Sequence, residues 1–357
     1  MDNCYVRTAR ELKAQGIDAL ITYKPENTRY FTGFHSTSRV DGQAMIDANG
    51  VSLFVNPMNA ELARAETAPD VTFHVMEYME AIGTYLAPCG YRKIAIEENY
   101  LTVLELDNLK AAMPACEFVY GSAMINRVRH TKEPERMKNF REACRITDQI
   151  WQYLLTYIRP GISEKDIEEA VLKKTREFGA EGEYFKPIVV SGERTSQPHG
   201  QPTEKKLEKG DFVTVDMGVY YNGCQSDFTR TVVLGKASER QREVYETVKR
   251  AQAAAVEGIR VGMMGKDADK IARSIIESAG YGTYFVHGLG HGLDDGFRIS
   301  QVDKLNIQLQ ENMLFTVEPG IYIPGFGGVR IEDMVLLTET GCEDLYTSSR
   351  ELVEIPC

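Results

Sequence analysis

Ile146, Ile150, Leu154 and Ile158 recur every four residues through the charged segment 132–158. That spacing draws one apolar stripe down a helix and predicts that the stripe faces a core. Pro160-Gly161 ends the pattern, and Ser163 with Asp166 three residues later reads as the N-cap of the next helix. Two further helical patterns follow at 238–260 and 266–279, with strand-like runs between and after them.

Upstream the pattern is shorter in period. A helical stretch at 10–16 precedes the apolar run 18–23, and the runs 43–46 and 51–55 flank Asn49-Gly50 as a hairpin. A helix near 59–67, a strand at 71–75, another helix and the strand 93–96 follow. This alternation predicts an α/β domain over residues 1–125, with a second domain over 126–357. No repeat or low-complexity tract interrupts either part.

Two hairpins stand out in the second part. Residues 211–221 and 224–234 flank Asn222-Gly223, a strong two-residue turn signal. Paired positions then sum to 445, so Asp216 faces Thr229 and Asp227 lies diagonally from Asp216 on the same face, with such neighbours about 7–8 Å apart. Residues 315–323 and 329–337 flank a loop centred on Gly325. If paired positions sum to 650 there, Glu318 and Glu332 are directly opposed.

Composition narrows the function. The chain has 357 residues, with 52 acidic against 41 basic side chains and a net charge of −11. An acidic chain is a poor match for nucleic acid or an anionic membrane surface, which need a basic face. There is no apolar run long enough to span a bilayer, and the first residues lack the basic-then-apolar pattern of a secretory signal. Seven cysteines without a C-x-x-C pair argue against a disulfide framework and a thiolate zinc site, so a reducing, cytoplasmic location is expected.

Like charges opposed across a sheet are destabilising. Two acidic pairs therefore imply either a solvated face or a cation held between carboxylates. An imidazole could complete such a site, and the glycine-rich segment 285–293 carries His287 and His291 four residues apart. A phosphate loop is the rival reading of that segment, but Leu293 stands where its last glycine would be needed. His199 sits in the turn Pro198-His199-Gly200, where a surface role is the plain alternative.

Pro198-His199-Gly200, Val215-Asp216-Met217-Gly218, Ser226-Asp227-Phe228-Thr229-Arg230, Gly290-His291-Gly292, Val317-Glu318-Pro319-Gly320 and Val329-Arg330-Ile331-Glu332-Asp333 occur in this order. The set resembles the proline-specific M24 metallopeptidases, the Xaa-Pro dipeptidases and aminopeptidases P. The segment Asn27-Thr28-Arg29-Tyr30-Phe31-Thr32-Gly33-Phe34 resembles the N-terminal signature of the same family. The resemblance implies an α/β creatinase-like N-terminal domain, an α+β C-terminal domain of the pita-bread fold, and two divalent metal ions, manganese first, with cobalt, zinc or iron possible. It implies that Asp216 binds one ion, that Asp227 and Glu332 bridge both, and that His291 and Glu318 complete the second. His199 and His287 match histidines near the substrate, and Arg330 an arginine that supports the carboxylates. A homodimer rests on the resemblance alone. Two cations would lower the pKa of a bridging water and stabilise the oxyanion, with Glu318 carrying the proton to the leaving nitrogen.

One departure bears on substrate. Peptidases of this family carry a further histidine seven residues after the metal-binding one, and here that position is Arg298. Arginine stays charged and only donates, so Arg298 in that place would clamp a substrate carboxylate rather than shuttle a proton. Three readings follow: an Xaa-Pro hydrolase, a pita-bread enzyme acting on a small non-peptide amide or amidine, and a non-catalytic interaction module on the same fold.

Overall fold

The computed structural model describes residues 3–78, 82–293, 296–302 and 307–357. The chain divides into two compact units, Met1–Arg129 and His130–Cys357.

The first unit is built on a six-stranded sheet. In spatial order its strands are Thr72–Val75, Gly50–Val55, Gly42–Asp47, Ala19–Ile21, Lys93–Ile96 and Glu117–Tyr120. Antiparallel pairing joins the second to the third and the third to the fourth, and the remaining pairs are parallel. Its central strands are buried on both faces, which explains why Ala19-Leu20-Ile21 reads as a continuous apolar run. Helix Cys4–Gln15 begins at Asn3, whose side chain accepts from the Val6 N–H, and stops at Gly16 in the left-handed region.

In the second unit, helix Pro134–Tyr157 buries Ile146, Ile150 and Leu154 with no exposed surface, and Ile158, the last residue of the expected stripe, is buried just past the helix end as its C-cap. Removing such a side chain costs about 2–5 kcal/mol, so the stripe anchors this layer. Ser163 and Asp166 form a reciprocal capping box at the start of helix Glu164–Glu177. These two helices share one core with strands Phe212–Met217 and Phe228–Leu234. Helices Glu239–Gly258 and Gly265–Ser278 cover a second core with Phe315, Val317, Ile321 and Val335.

Both hairpins keep the expected register, but neither is one unbroken ladder. The first pairs Asp216 with Thr229 and Tyr221 with Cys224, the sum of 445 holding throughout. Asn222 and Gly223 both take positive φ, as a type I′ turn requires. The ladder breaks at Gly218, where a Cβ would come within 2.2 Å of the Ser226 carbonyl, and the two ends of the hairpin belong to different sheets. In the second, Val317 pairs with Asp333 and Gly320 with Arg330. Between those pairs, Glu318 and Glu332 turn their backbones to other segments: Glu318 N–H donates to Leu289 O and Glu332 N–H to Thr229 O. Ladder breaks free these positions from cross-strand neighbours, so acidic side chains can converge there.

Candidate metal centre

The two hairpins meet at the bridge Thr229–Glu332. The Thr229 hydroxyl donates to Glu332 Oε2 at 2.6 Å, and the Thr231 hydroxyl accepts from Arg330 N–H at 3.3 Å. This side-by-side arrangement delivers Glu332 to the face that carries Asp216 and Asp227. The backbone of Asp227 is fixed by the Tyr346 hydroxyl, which accepts from its N–H and donates to its carbonyl.

The histidine segment approaches from the other side. Gly290 lies so close to the strand Leu314–Val317 that a Cβ would sit 1.9 Å from Thr316 O. Only glycine allows that approach, and it sets His291 against the acids. His291 N–H donates to Thr316 Oγ1, which in turn donates to Glu318 Oε1 at 3.1 Å. His291 Nε2 lies 3.4 Å from Asp227 Oδ2 and 3.7 Å from Glu318 Oε1. One ligand atom each from Asp227, His291 and Glu332 falls within 4.8 Å of the others.

Four carboxylates in so small a space repel one another, and burial makes the repulsion stronger. Burial pushes the Asp216 ionisation up to about 7, although the Arg330 guanidinium beside it pulls the other way. Burial likewise raises Asp227 against the pull of His291, and raises Glu332 well above the carboxylate range. Burial alone would lower His291, but Asp227 and Glu318 outweigh it and hold its ionisation up to about 9. The cluster therefore lacks positive charge that Arg330 and His291 only partly supply.

The residues fit a bound divalent cation. Asp216 Oδ1 is buried with no hydrogen-bond partner, while its Oδ2 accepts from Arg330 at 2.5 Å. An orphaned buried carboxylate oxygen beside three more acids and an imidazole is a donor set for a hard or borderline metal ion.

Arg330 is the hub around this set. Besides Asp216, it donates to the Thr229 hydroxyl, the Tyr322 hydroxyl at 3.0 Å and Pro198 O at 3.3 Å. That last bond ties the turn carrying His199 to the centre, with the His199 side chain itself exposed. His287 Nδ1 lies 2.8 Å from Gly288 O, which can only accept, so this nitrogen carries the proton in the neutral ring. Nε2 then accepts from Tyr322 O–H at 2.8 Å, and burial lowers the His287 ionisation and favours that neutral form. Tyr322, Thr316 and Tyr346 are absent from the residues singled out in the sequence; Tyr322 alone left a trace there, as a polar aromatic inside the apolar run Gly320-Ile321-Tyr322-Ile323. Arg298 pairs directly opposite His291, is exposed, and is near enough to oppose protonation of that ring.

A pH dependence follows. The folded-state ionisation of Asp216 lies above its ordinary 3.8, so its favourable effect is complete below that value and is lost as pH rises through about 7. Asp227 and Glu332 shift in the same direction, and the contribution of His291, present below 6.5, is lost as pH rises through about 9. Metal-free protein should therefore unfold at lower urea concentration at pH 8 than at pH 5. A divalent cation should stabilise it more at pH 8, because ligands bind metal deprotonated. An Asp216→Asn variant with an unchanged slope would show that Asp216 is not one of its sources.

Two family models match the chain. Residues 138–339 match metallopeptidase family M24, and residues 6–131 match the creatinase/prolidase N-terminal domain. The chain is 37% identical over 342 residues to an Xaa-Pro dipeptidase of Pyrococcus furiosus, covering 94% of this chain and 95% of the relative. Among solved structures, a prolidase from Pyrococcus horikoshii superposes with a TM-score of 0.91 at 34% identity, covering 99% and 100% of the two chains. An Xaa-Pro dipeptidase from Bacillus anthracis superposes with a TM-score of 0.89 at 34% identity, covering 98% of each. Among the described residues no helix is long and apolar enough to cross a membrane.

Proposed function

The chain belongs to metallopeptidase family M24, and from that premise we propose that it is a dinuclear peptidase cleaving Xaa-Pro dipeptides or short Xaa-Pro peptides. It is a metal-dependent hydrolase with a creatinase-like N-terminal domain and a pita-bread C-terminal domain. Asp216 would hold one ion, Asp227 and Glu332 would serve both, and His291 and Glu318 would hold the other. The observation that supports this assignment is the grouping of Asp227, His291 and Glu332, with Glu318 beside His291 and a buried Asp216 oxygen left unpartnered. An oxygen-rich set with a single imidazole suits Mn²⁺ best, with Co²⁺, Zn²⁺ or Fe²⁺ as substitutes. A homodimer in a reducing compartment belongs to the same proposal.

When bound, the cations supply Lewis-acid polarisation of the scissile carbonyl and a lowered water pKa. Glu318 is half-buried and accepts from Thr316, so its carboxylate is placed to take a proton and return it to the leaving nitrogen. His287, neutral and engaged at both nitrogens, holds Tyr322, and Tyr322 accepts from Arg330. This relay keeps the guanidinium on Asp216 and orients the carboxylate without taking up a proton itself. His199, on its exposed turn, is free to meet the substrate.

Arg298 favours a second reading. It occupies the strand opposite His291 with its side chain exposed, and as a fixed cation it suits the free carboxylate of a small acid as well as that of a dipeptide. Ala-Pro, Gly-Pro and longer Xaa-Pro peptides, assayed beside small amide- and amidine-bearing acids, separate the two. Release of proline from dipeptides, with KM rising at least about tenfold in Arg298→Ala, is the expected result, since charge-assisted bonds contribute about 1.5–3 kcal/mol. Turnover confined to a non-peptide amide would favour the second reading, and a KM unchanged in Arg298→Ala would remove the clamp from both.

A further inference from the structure

The metal ligands divide by their support. Asp216, Asp227, Glu318 and Glu332 sit in or beside sheet strands, whereas His291 follows a glycine-rich segment with little ladder of its own, a two-residue strand at Gly290–His291. Something else must hold that segment, and the hydrogen bonds identify it.

Asp269 is wholly buried on helix Gly265–Ser278, and every bond it accepts holds this region together. Its Oδ1 accepts from Leu289 N–H at 2.9 Å and from Arg273, and its Oδ2 accepts from Arg273 Nε at 2.7 Å and from Gln301 at 2.8 Å. Arg273, one turn further along, donates to Phe285 O at 3.0 Å and His287 O at 2.7 Å while its guanidinium lies over the Phe285 ring. The pair thus grips the segment at residues 285, 287 and 289. Leu289 passes the constraint on, because its carbonyl accepts from Glu318 N–H at 2.8 Å. One ion pair, its carboxylate wholly buried and its guanidinium half-buried, therefore sets the backbone on both sides of the gap that His291 and Glu318 face.

We propose that Asp269 and Arg273 are positioning residues for one of the two metal subsites, the one formed by His291 and Glu318. Neither touches the centre; they act through Leu289 and the carbonyls of Phe285 and His287. The inference rests on the dinuclear reading above. Supporting groups behind metal ligands are typically worth about 10–100-fold in affinity, and here two ligands of the same ion depend on one support. The ion held mainly by Asp216 should be little affected, because its ligand is fixed from Arg330 and the opposite hairpin.

The test is calorimetric titration of the metal-free full chain with Mn²⁺, followed by urea unfolding of the same metal-free samples. Wild type, Asp269→Asn, Arg273→Met and Arg273→Lys are compared with Ile146→Val, a buried truncation in helix Pro134–Tyr157 that measures general loosening. Wild type should bind two ions. In Asp269→Asn and Arg273→Met one of the two ions should lose about 10–100-fold in affinity and the other less than about threefold. Arg273→Lys should fall between, because an ammonium keeps the charge but cannot span the carboxylate and both carbonyls. If Arg273→Met does not fold, Arg273→Lys decides on the same criterion. Variants that bind both ions within about threefold of wild type, or that weaken both ions equally and no more than Ile146→Val does, would overturn the inference. A wild-type protein that binds no Mn²⁺ would instead overturn the dinuclear reading, and the inference with it.

Discussion

Asp227→Asn should reduce kcat/KM by at least about 10³ and leave the protein folded. Asparagine keeps the shape of the side chain, and the Asp227 backbone remains anchored to the Tyr346 hydroxyl at both its N–H and its carbonyl. What disappears is one negative oxygen that the two ions share in the proposed assignment. Lewis-acid stabilisation by bound metal supplies several kcal/mol, and each 1.36 kcal/mol is tenfold in rate, so losing about 4 kcal/mol corresponds to about 10³. Metal per chain should fall below two in elemental analysis of the reconstituted variant. The metal-free variant should be no less stable than wild type at pH 8, because a buried repulsive charge has been removed. Full occupancy with near-normal turnover would show that the assigned ligand set is wrong.

Arg330→Met should produce the largest loss of stability among single substitutions at the centre. The guanidinium is buried and bonded to Asp216, Thr229, Tyr322 and Pro198. Removing one member of a buried ion pair typically costs about 3–5 kcal/mol, because the remaining charge is left uncompensated. Part of that loss should be recovered at pH 5, where Asp216, already raised to about 7 in the intact pair, becomes neutral. Urea unfolding of metal-free Arg330→Met at pH 8 and pH 5 measures both effects. A loss under about 1 kcal/mol at pH 8 would mean that Arg330 is not the counter-charge on which the acids depend.

The sequence made the sheet-borne part of this site legible because hairpin geometry is local. Asn222-Gly223 sets the first register and Gly325 centres the second, so the pairings of Asp216 with Thr229 and of Arg330 with Gly320 follow from counting. The ladder breaks at Gly218 and at Glu318–Glu332 were not legible. They arise from contacts with Tyr346, Leu289 and Thr229, each far away in the chain. The same limit hid Asp269 and Arg273, which read as an ordinary i,i+4 pair on a surface helix and gain their meaning only where residues 285–291 pack against them. The hydroxyl of Tyr322 was not placed because the continuous run Gly320–Ile323 reads as a wholly buried strand, and it finds His287 and Arg330 only in three dimensions.

The most direct measurement follows proline release from Ala-Pro while metal-free protein is titrated with Mn²⁺. The rate should be negligible without metal, climb with added ion, level off as two ions per chain are bound, and collapse when a chelator is added. Proline release that is equally fast in the metal-free protein, or none at any Mn²⁺ concentration in a protein that has bound two ions, would contradict a dinuclear Xaa-Pro peptidase.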